Sequence, residues 1–510
     1  MGHLLHSIFP WEQFAVATNA GIAASAPDSR IKWRLAGERK SITLRRMNVR
    51  LAFSLLLGRT PTGNQSLRRY SSIVRGGTTA MLAKIFAMAA GFAAVPLTLH
   101  HLGPERYGLW VTLFSIMAWL NVGDLGLNNG LITTLSEAFA HERLDLAREY
   151  VSTAFWGLWV IAAVFAIVLA GCYPLFDWSR LMHIGSPAVA REFGAAIGLA
   201  AALFLVNLPF TIIGRILVAA ERPELANFWA FVNSVATLTG LIAAILAGGG
   251  LPMLVIGYSG SQVLVSIASA IWIFTRAHPE LAPTRAIARS SLRRVFGIAA
   301  SFFVIQLATL LLFQSANVLI AHDLGPRYVT PYQITWMLFM YVTVPQQLIS
   351  GNIWAAIGDA YAKNDIRWIR NLFRRYLLLS VASGGSLVLV LVVAAKPLVR
   401  WWAGAQAIPD ENLVLWMGGW AAVHTVMQPV TAVLFGTGRM RTYSIFAMAG
   451  ALVSVVTAAL ALPTFGVSGV VASYLLCFGV IAVVPAILQL GIVLRGQHGG
   501  APGTRTARQA

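Results

Sequence analysis

From about residue 78 onward the chain alternates long apolar runs with short charged clusters. Read in windows of about 19 residues, the runs predict twelve membrane helices. They lie at 78–100, 107–131, 150–172, 193–214, 226–247, 253–274, 297–321, 329–351, 374–395, 411–434, 443–462 and 468–493. No connecting loop exceeds about 25 residues, which leaves no room for a soluble catalytic domain on either face. The fold class this implies is all-α: a polytopic membrane protein with twelve transmembrane helices.

Polar residues interrupt the apolar runs at helical spacing. Asn121, Asp124 and Asn128 sit three and four apart in the second run, flanked by Gly123 and Gly126. A carboxylate at that depth costs several kcal/mol unless it meets a partner or a cavity, so this face is expected to line a polar interior. Asp124 reads either as an acceptor of hydrogen bonds from a neighbouring helix, or a partner of Lys84, or as a site for a proton or cation. Lys84, about two turns into the first run, reads as a snorkelling side chain or as a fixed positive charge suited to phosphate. Arg215, at the end of the fourth run, carries the same two readings. In the seventh run Gln306 and Asn317 share a face with Gln314 beside it. Gln346, Gln347 and Ser350 follow Pro345 in the eighth. These amides fit interhelical hydrogen bonding or a sugar-binding wall, as do His424 and Gln428 before Pro429. The many Trp and Tyr residues, Trp401, Trp402 and Trp416 among them, read mostly as interfacial anchors.

The pattern occurs twice. Leu324-Gly325-Pro326 lies 222 positions after Leu102-Gly103-Pro104, and Asp359-Ala360-Tyr361-Ala362 follows Glu137-Ala138-Phe139-Ala140 at the same offset. Ile216-Leu217 to Arg222 matches Val433-Leu434 to Arg439 slightly closer, at 217. Six runs plus six therefore predict a duplicated unit of two six-helix lobes, as in many transporters.

Composition agrees, with 57% hydrophobic and only 11% charged residues. So apolar a chain belongs in a membrane. The net charge of +19 is spread over loops with no aromatic platform between the charges. It therefore reads as a topology signal and not as nucleic-acid binding. Residues 1–71 form a basic tail, expected to be disordered or to lie on an anionic membrane surface, and Met47 is an alternative start. The lobes are expected at 72–275 and 297–495, joined by a linker at 276–296 and closed by a tail at 496–510. In the linker His278-Pro279 and Pro283 interrupt the chain before Arg285, Arg289, Arg293 and Arg294, which predicts a surface-lying helix. Basic loops on one side place both termini in the cytoplasm. Cys172 and Cys477 lie in different halves and support neither a disulfide framework nor a metal site. No acid has a partner His or a metal-ligand spacing, so no cofactor, metal or enzymatic activity is expected.

The segments LGPERYGLW, GDLGL and SEAFAHERLDLAREY, with the six-plus-six duplication, resemble the lipid-linked oligosaccharide flippases (Wzx-type, of O-antigen and exopolysaccharide synthesis) over about residues 72–495. These belong to the superfamily that also holds the multidrug and toxic compound extrusion transporters and the lipid II flippases. The resemblance implies two lobes around a cavity that opens to one side at a time. It also implies a polyprenyl-pyrophosphate-linked oligosaccharide as substrate, membrane lipids as surroundings, a bacterial inner-membrane location, room for a coupling proton or Na+, and a polysaccharide polymerase as a partner. The family's cavity lining favours the first, second, seventh and eighth spans, where Lys84, Asp124, Asn128, Gln306 and Gln314 occur. The chain departs from lipid II flippases, which carry two further helices and several cavity arginines. A cation-coupled drug exporter on the same fold and an integral-membrane glycosyltransferase or polymerase are the other classes; the first predicts an acidic, aromatic cavity and the second a sizeable external loop.

Overall fold

The computed structural model describes residues 65–120, 127–284 and 289–495. The tail to residue 64, Met47 included, together with Asn121, Asp124, Arg285 and the chain after Arg495, lies outside the described residues. Within them every regular element is a helix.

The first helical stretch, Gln65–Leu120, breaks at Gly103 into α1 (65–102) and α2 (104–120). Then come α3 (Leu127–Ala140), α4 (Leu144–Cys172), and α5 (Pro187–Asn207), which a 3-10 turn carries into Ile212–Ala219. Next are α6 (Pro223–Leu246) and α7 (Leu251–Ala277). The second half holds α8 (Arg289–Asp323), α9 (Val329–Met340), α10 (Val344–Ala362), α11 (Ile366–Trp402) and α12 (Glu411–Gly436). Its last stretch, Met440–Leu494, breaks at Gly466 into α13 (440–465) and α14 (467–494).

Among the described residues seven stretches are long and apolar enough to cross a membrane on their own, and two of these, Thr79–Leu120 and Met440–Leu494, each contain two helices. Helix α12, where His424 and Gln428 stand within the span, falls outside the seven. The chain is a polytopic, all-helical membrane protein.

The backbone itself records the duplication. Among the described residues, those with positive φ are Gly103, Glu142, His183, Glu221 and Gly248 in the first half and Gly325, Asn364, Gly404, Gly438 and Gly466 in the second. They pair in order; Gly103 with Gly325 and Glu142 with Asn364 are each 222 apart, and Glu221 with Gly438 is 217 apart, the two offsets seen in the sequence. A left-handed residue is where a helix ends and the chain reverses, so both halves turn at equivalent places. A π-helical segment likewise recurs in α7 (Ile256–Gly260) and α14 (Tyr474–Val483).

Across the expected linker Pro279–Leu281 is a 3-10 turn, and α8 already includes Arg289, Arg293 and Arg294. With helix formers on both sides and no Pro or Gly between Arg289 and Val295, nothing ends the helix there.

Each half has its own apolar cluster. In the first, Leu127, Leu131 and Leu135 of α3 meet Val151 and Leu158 of α4 and Ile212 and Ile216 after α5. In the second, Ile353 and Ile357 of α10 meet Ile369 and Leu372 of α11 and Val430 and Val433 of α12. A third cluster joins the halves, with Leu99, Leu109 and Leu113 on one side and Ile320, Val329 and Phe339 on the other. Helices in lipid gain little from hydrophobic transfer and are held by close packing. Gly240 of α6 and Gly257 of α7 show it, because a methyl group on either would overlap the other's carbonyl. Leu246, Leu389, Val393 and Leu460 stand 70–84% exposed, as side chains facing lipid do.

Candidate functional site: the seam between the halves

The segment Leu102-Gly103-Pro104-Glu105-Arg106-Tyr107-Gly108 opens α2. Leu102 and Tyr107 are buried, and Gly103 takes φ 75° to reverse the chain. Arg106 pairs with Glu192 of α5 at 3.0 Å, and Glu192 also accepts the Leu251 N–H at 2.6 Å. That second bond satisfies a free donor at the start of α7. Gly108 lies directly against the Pro326 carbonyl, where any Cβ would overlap it.

The second copy answers. Thr330, which lies four residues after Pro326 as Gly108 lies four after Pro104, donates its hydroxyl to the Pro104 carbonyl at 2.6 Å. Each Leu-Gly-Pro turn thus offers its proline carbonyl to the other half, one to a bare backbone and one to a hydroxyl. About three helical turns before Gly103 along α1, Trp402 Nε1 donates to the Phe92 carbonyl at 3.0 Å while the two rings stack with centroids 4.0 Å apart. The indole thus combines a stacked face with a satisfied N–H. His322 Nδ1 donates to the Leu181 carbonyl at 2.7 Å. The turn end of the seam is closed.

Further in, Asn317 of α8 is buried and donates to Ser115 Oγ of α2 at 2.9 Å and to Gln333 Oε1 of α9 at 3.0 Å. It ties the halves together and has no duplicated counterpart, since Val95 stands at the equivalent place in α1.

Lys84 lies about five helical turns before Gly103, which places it roughly 30 Å from the turn along α1. It is half-buried and donates from Nζ to Gln347 Oε1 of α10 at 3.2 Å. Gln347 in turn donates to Thr343 Oγ1 at 3.1 Å. The offset of 222 carries Lys84 to Gln306, which is its duplicated counterpart and is also half-buried. Equivalent places in the two halves therefore carry a cation in the first and an amide in the second.

The remaining predicted residues disperse. Asn128 is buried within the first half, where its amide donates to Thr211 Oγ1 at 3.2 Å. Arg215 is exposed beyond the 3-10 turn that follows α5, and Gln314 is half-buried in α8. His424 packs with Trp420, ring centroids 4.6 Å apart, and with Phe313, and Gln346 is buried with its amide donating to the Ser380 carbonyl at 3.3 Å. Asp124 lies outside the described residues. Sequence reasoning passed over Gly108, Thr330, Ser115 and Gln333; the repeated Leu-Gly-Pro pointed to the turns, and only the four-residue spacing after each proline marked the first two.

The fold is shared with solved transporter structures. The inward-facing form of a multidrug resistance MATE family transporter of the MOP superfamily is 15% identical and aligns over 84% of this chain and 100% of its own, with a TM-score of 0.69. Its outward-facing form gives a TM-score of 0.58 at 15% identity over 87% of this chain and 98% of its own. A MOP superfamily transporter from Pyrococcus furiosus, described as having a binding pocket of reversed polarity, gives 0.60 at 15% identity over 86% and 98%. No curated protein matches in sequence. The family described as polysaccharide biosynthesis protein matches residues 73–357, from α1 through most of α10, and covers both Leu-Gly-Pro turns and Lys84 with Gln347. The chain is a polytopic membrane protein whose fold is shared with MOP transporters, and this match over more than half of its length shows that it belongs to the polysaccharide biosynthesis protein family.

Proposed function

We propose that this transporter flips a polyprenyl-pyrophosphate-linked oligosaccharide across the bacterial inner membrane, from the basic, cytoplasmic face to the face of the Leu-Gly-Pro turns, by alternating access. The observation that carries it is Lys84, a cation on a membrane-spanning helix at the seam, held by a single amide from the other half. A pyrophosphate can replace that amide and gain a charge-assisted hydrogen bond. The sugar enters the polar space between the halves while the polyprenyl tail stays in lipid, which avoids drawing a polar headgroup through hydrocarbon. We assign the phosphate end to Lys84 with Arg215, sugar contacts to Gln306 and Gln314, and a coupling proton or Na+ to Asp124. Asn128 and Asn317, already hydrogen-bonded, would shape the wall of the site. A polysaccharide polymerase would consume the product.

The closed turn end and the higher TM-score against the inward-facing relative support a form loaded from the basic side. Likeness to multidrug transporters favours drug export as the second reading.

The test is a deletion strain complemented with the wild-type chain, Lys84→Ala or Asp124→Asn. Wild type should clear lipid-linked repeat units from the cytoplasmic leaflet and restore surface polysaccharide. Lys84→Ala should lower the flipping rate at least tenfold at equal protein level. Unaltered flipping by both variants would remove the site assignment. A normal sugar pool with new sensitivity to cationic drugs in the deletion strain would replace the flippase by the exporter.

A further inference from the structure

The duplication places two equivalent helix starts on the basic face, and among the described residues only one of them is covered. In the first half the start of α4 is roofed by the chain leaving α7. Arg148 Nε donates to the Ala282 carbonyl at 3.0 Å, the Thr284 N–H donates to Ser152 Oγ at 3.0 Å, and Trp156 Nε1 donates to the Thr284 carbonyl at 2.8 Å. The offset of 222 carries these positions to Arg370, Arg374 and Leu378 on α11. Arg370 repeats its counterpart, donating to the Leu494 carbonyl at the end of α14. There the likeness stops: Arg374 is exposed, and Leu378 is 69% exposed.

The uncovered face is strongly cationic. Arg367, Arg370, Arg374 and Arg375 are all exposed. Positions 367, 370 and 374 follow the three-and-four spacing of one helix face. The first half has Asp145, Arg148, Ser152 and Thr153 at these places. Nearby acids are already engaged, Asp359 with Lys363 at 2.7 Å and Asp365 with the Trp368 N–H at 3.0 Å. One and two turns further along the same face the exposed residues change to Leu378 and Val381. α11 is one of the stretches able to cross a membrane. These two side chains therefore point along the acyl region while the arginines stand at headgroup level.

A soluble anion would use the arginines alone. A face that passes from guanidinium groups to bare leucine and valine within two turns fits a ligand with an anionic head and an acyl chain. The chain after Arg495 is the wrong occupant by charge, since it carries Arg505 and Arg508 and no acid. We propose that the start of α11 holds one anionic phospholipid. Its phosphate is bound by Arg367, Arg374 and Arg375, its acyl chain lies along Leu378 and Val381, and it covers in the second half what residues 282–284 cover in the first. Guanidinium groups suit phosphate because they donate two parallel hydrogen bonds.

The experiment uses the full chain, delipidated and then offered dioleoyl phosphatidylglycerol or dioleoyl phosphatidylcholine, with retained lipid counted by native mass spectrometry. Wild type should keep one phosphatidylglycerol at least tenfold better than phosphatidylcholine. The variant R367Q/R374Q/R375Q, which leaves Arg370 in place, should bring that preference to within twofold. Leu378→Gln, which keeps every arginine, should weaken phosphatidylglycerol retention and leave competition by inorganic phosphate unchanged. Equal retention of the two lipids, or a preference untouched in the triple variant, overturns the proposal. So does competition by inorganic phosphate as effective as by the lipid, which would make this a soluble-anion site. Polyprenyl phosphate that displaces phosphatidylglycerol tenfold more strongly than a second phospholipid also overturns it, by making the face part of the transport route.

Discussion

The two ends of the seam are built from different materials. At the turn end the halves meet through backbone carbonyls, with Gly108 against Pro326 and Thr330 on Pro104. At the Lys84 end they meet through two long, partly exposed side chains and a 3.2 Å hydrogen bond. Carbonyls on helix ends cannot move without their helices, so the first contact is made or lost as a unit. A lysine and a glutamine can exchange each other for water or for an anion at a cost of about 1–3 kcal/mol. One end is a seal and the other a binding surface, and substitutions at each should separate the two.

The largest effect is expected from Gly108→Val. Overpacking a filled contact costs about 1–3 kcal/mol. Here the obstacle is a backbone carbonyl and not a side chain that could turn aside. The closed form should lose roughly 5- to 150-fold in population. Spin labels on exposed residues of the turn face, at Arg180→Cys and Tyr328→Cys with Cys172 and Cys477 replaced by Ala, would report it as a longer distance in the unliganded protein. An unchanged distance distribution would mean that Gly108 does not set the seal.

Much of this arrangement could be read from residues, and the limit falls in a definite place. The helices, the duplication and both reversing glycines followed from apolar runs and a constant offset, because those properties are local or repeated. Lys84, Gln306 and Gln347 stood out because polarity inside a membrane span is costly wherever it occurs. Which residues meet across the seam was not legible: Ser115 looks like any serine that bonds within its own helix, and Asn317 could have faced either half. The start of α8 was not legible either: prolines and arginines are the composition of a surface segment, while Arg289, Arg293 and Arg294 already stand within that helix.

Asn317→Leu should have a smaller effect of a different kind. It removes the two bonds to Ser115 and Gln333. Interhelical hydrogen bonds in membranes contribute about 0.6 kcal/mol each, with a maximum near about 1.7 kcal/mol. A loss of about 1 kcal/mol should lower the thermal midpoint of the purified protein by a few degrees and shift the labelled distance only slightly. If this variant instead opened the turn face as far as Gly108→Val, the amide and not the carbonyl packing would be the seal.

The smallest change expected is from Thr330→Val, and it tests the seal most directly. Valine keeps the shape and branching of threonine, so packing against the first turn is retained and only the hydroxyl bond to Pro104 is lost. The Pro104 carbonyl keeps a partner, because in a regular helix it also accepts the N–H four residues on, from Gly108 itself. With no group left bare, the loss should be about 0.6 kcal/mol, roughly a threefold shift of the closed form. The labelled pair should therefore show a small added population at long distance, well below that of Gly108→Val. Equal effects of the two variants would mean that the halves are held at this end by a hydroxyl and not by backbone contact, and Gly108 and Thr330 would then be equivalent in position but opposite in role.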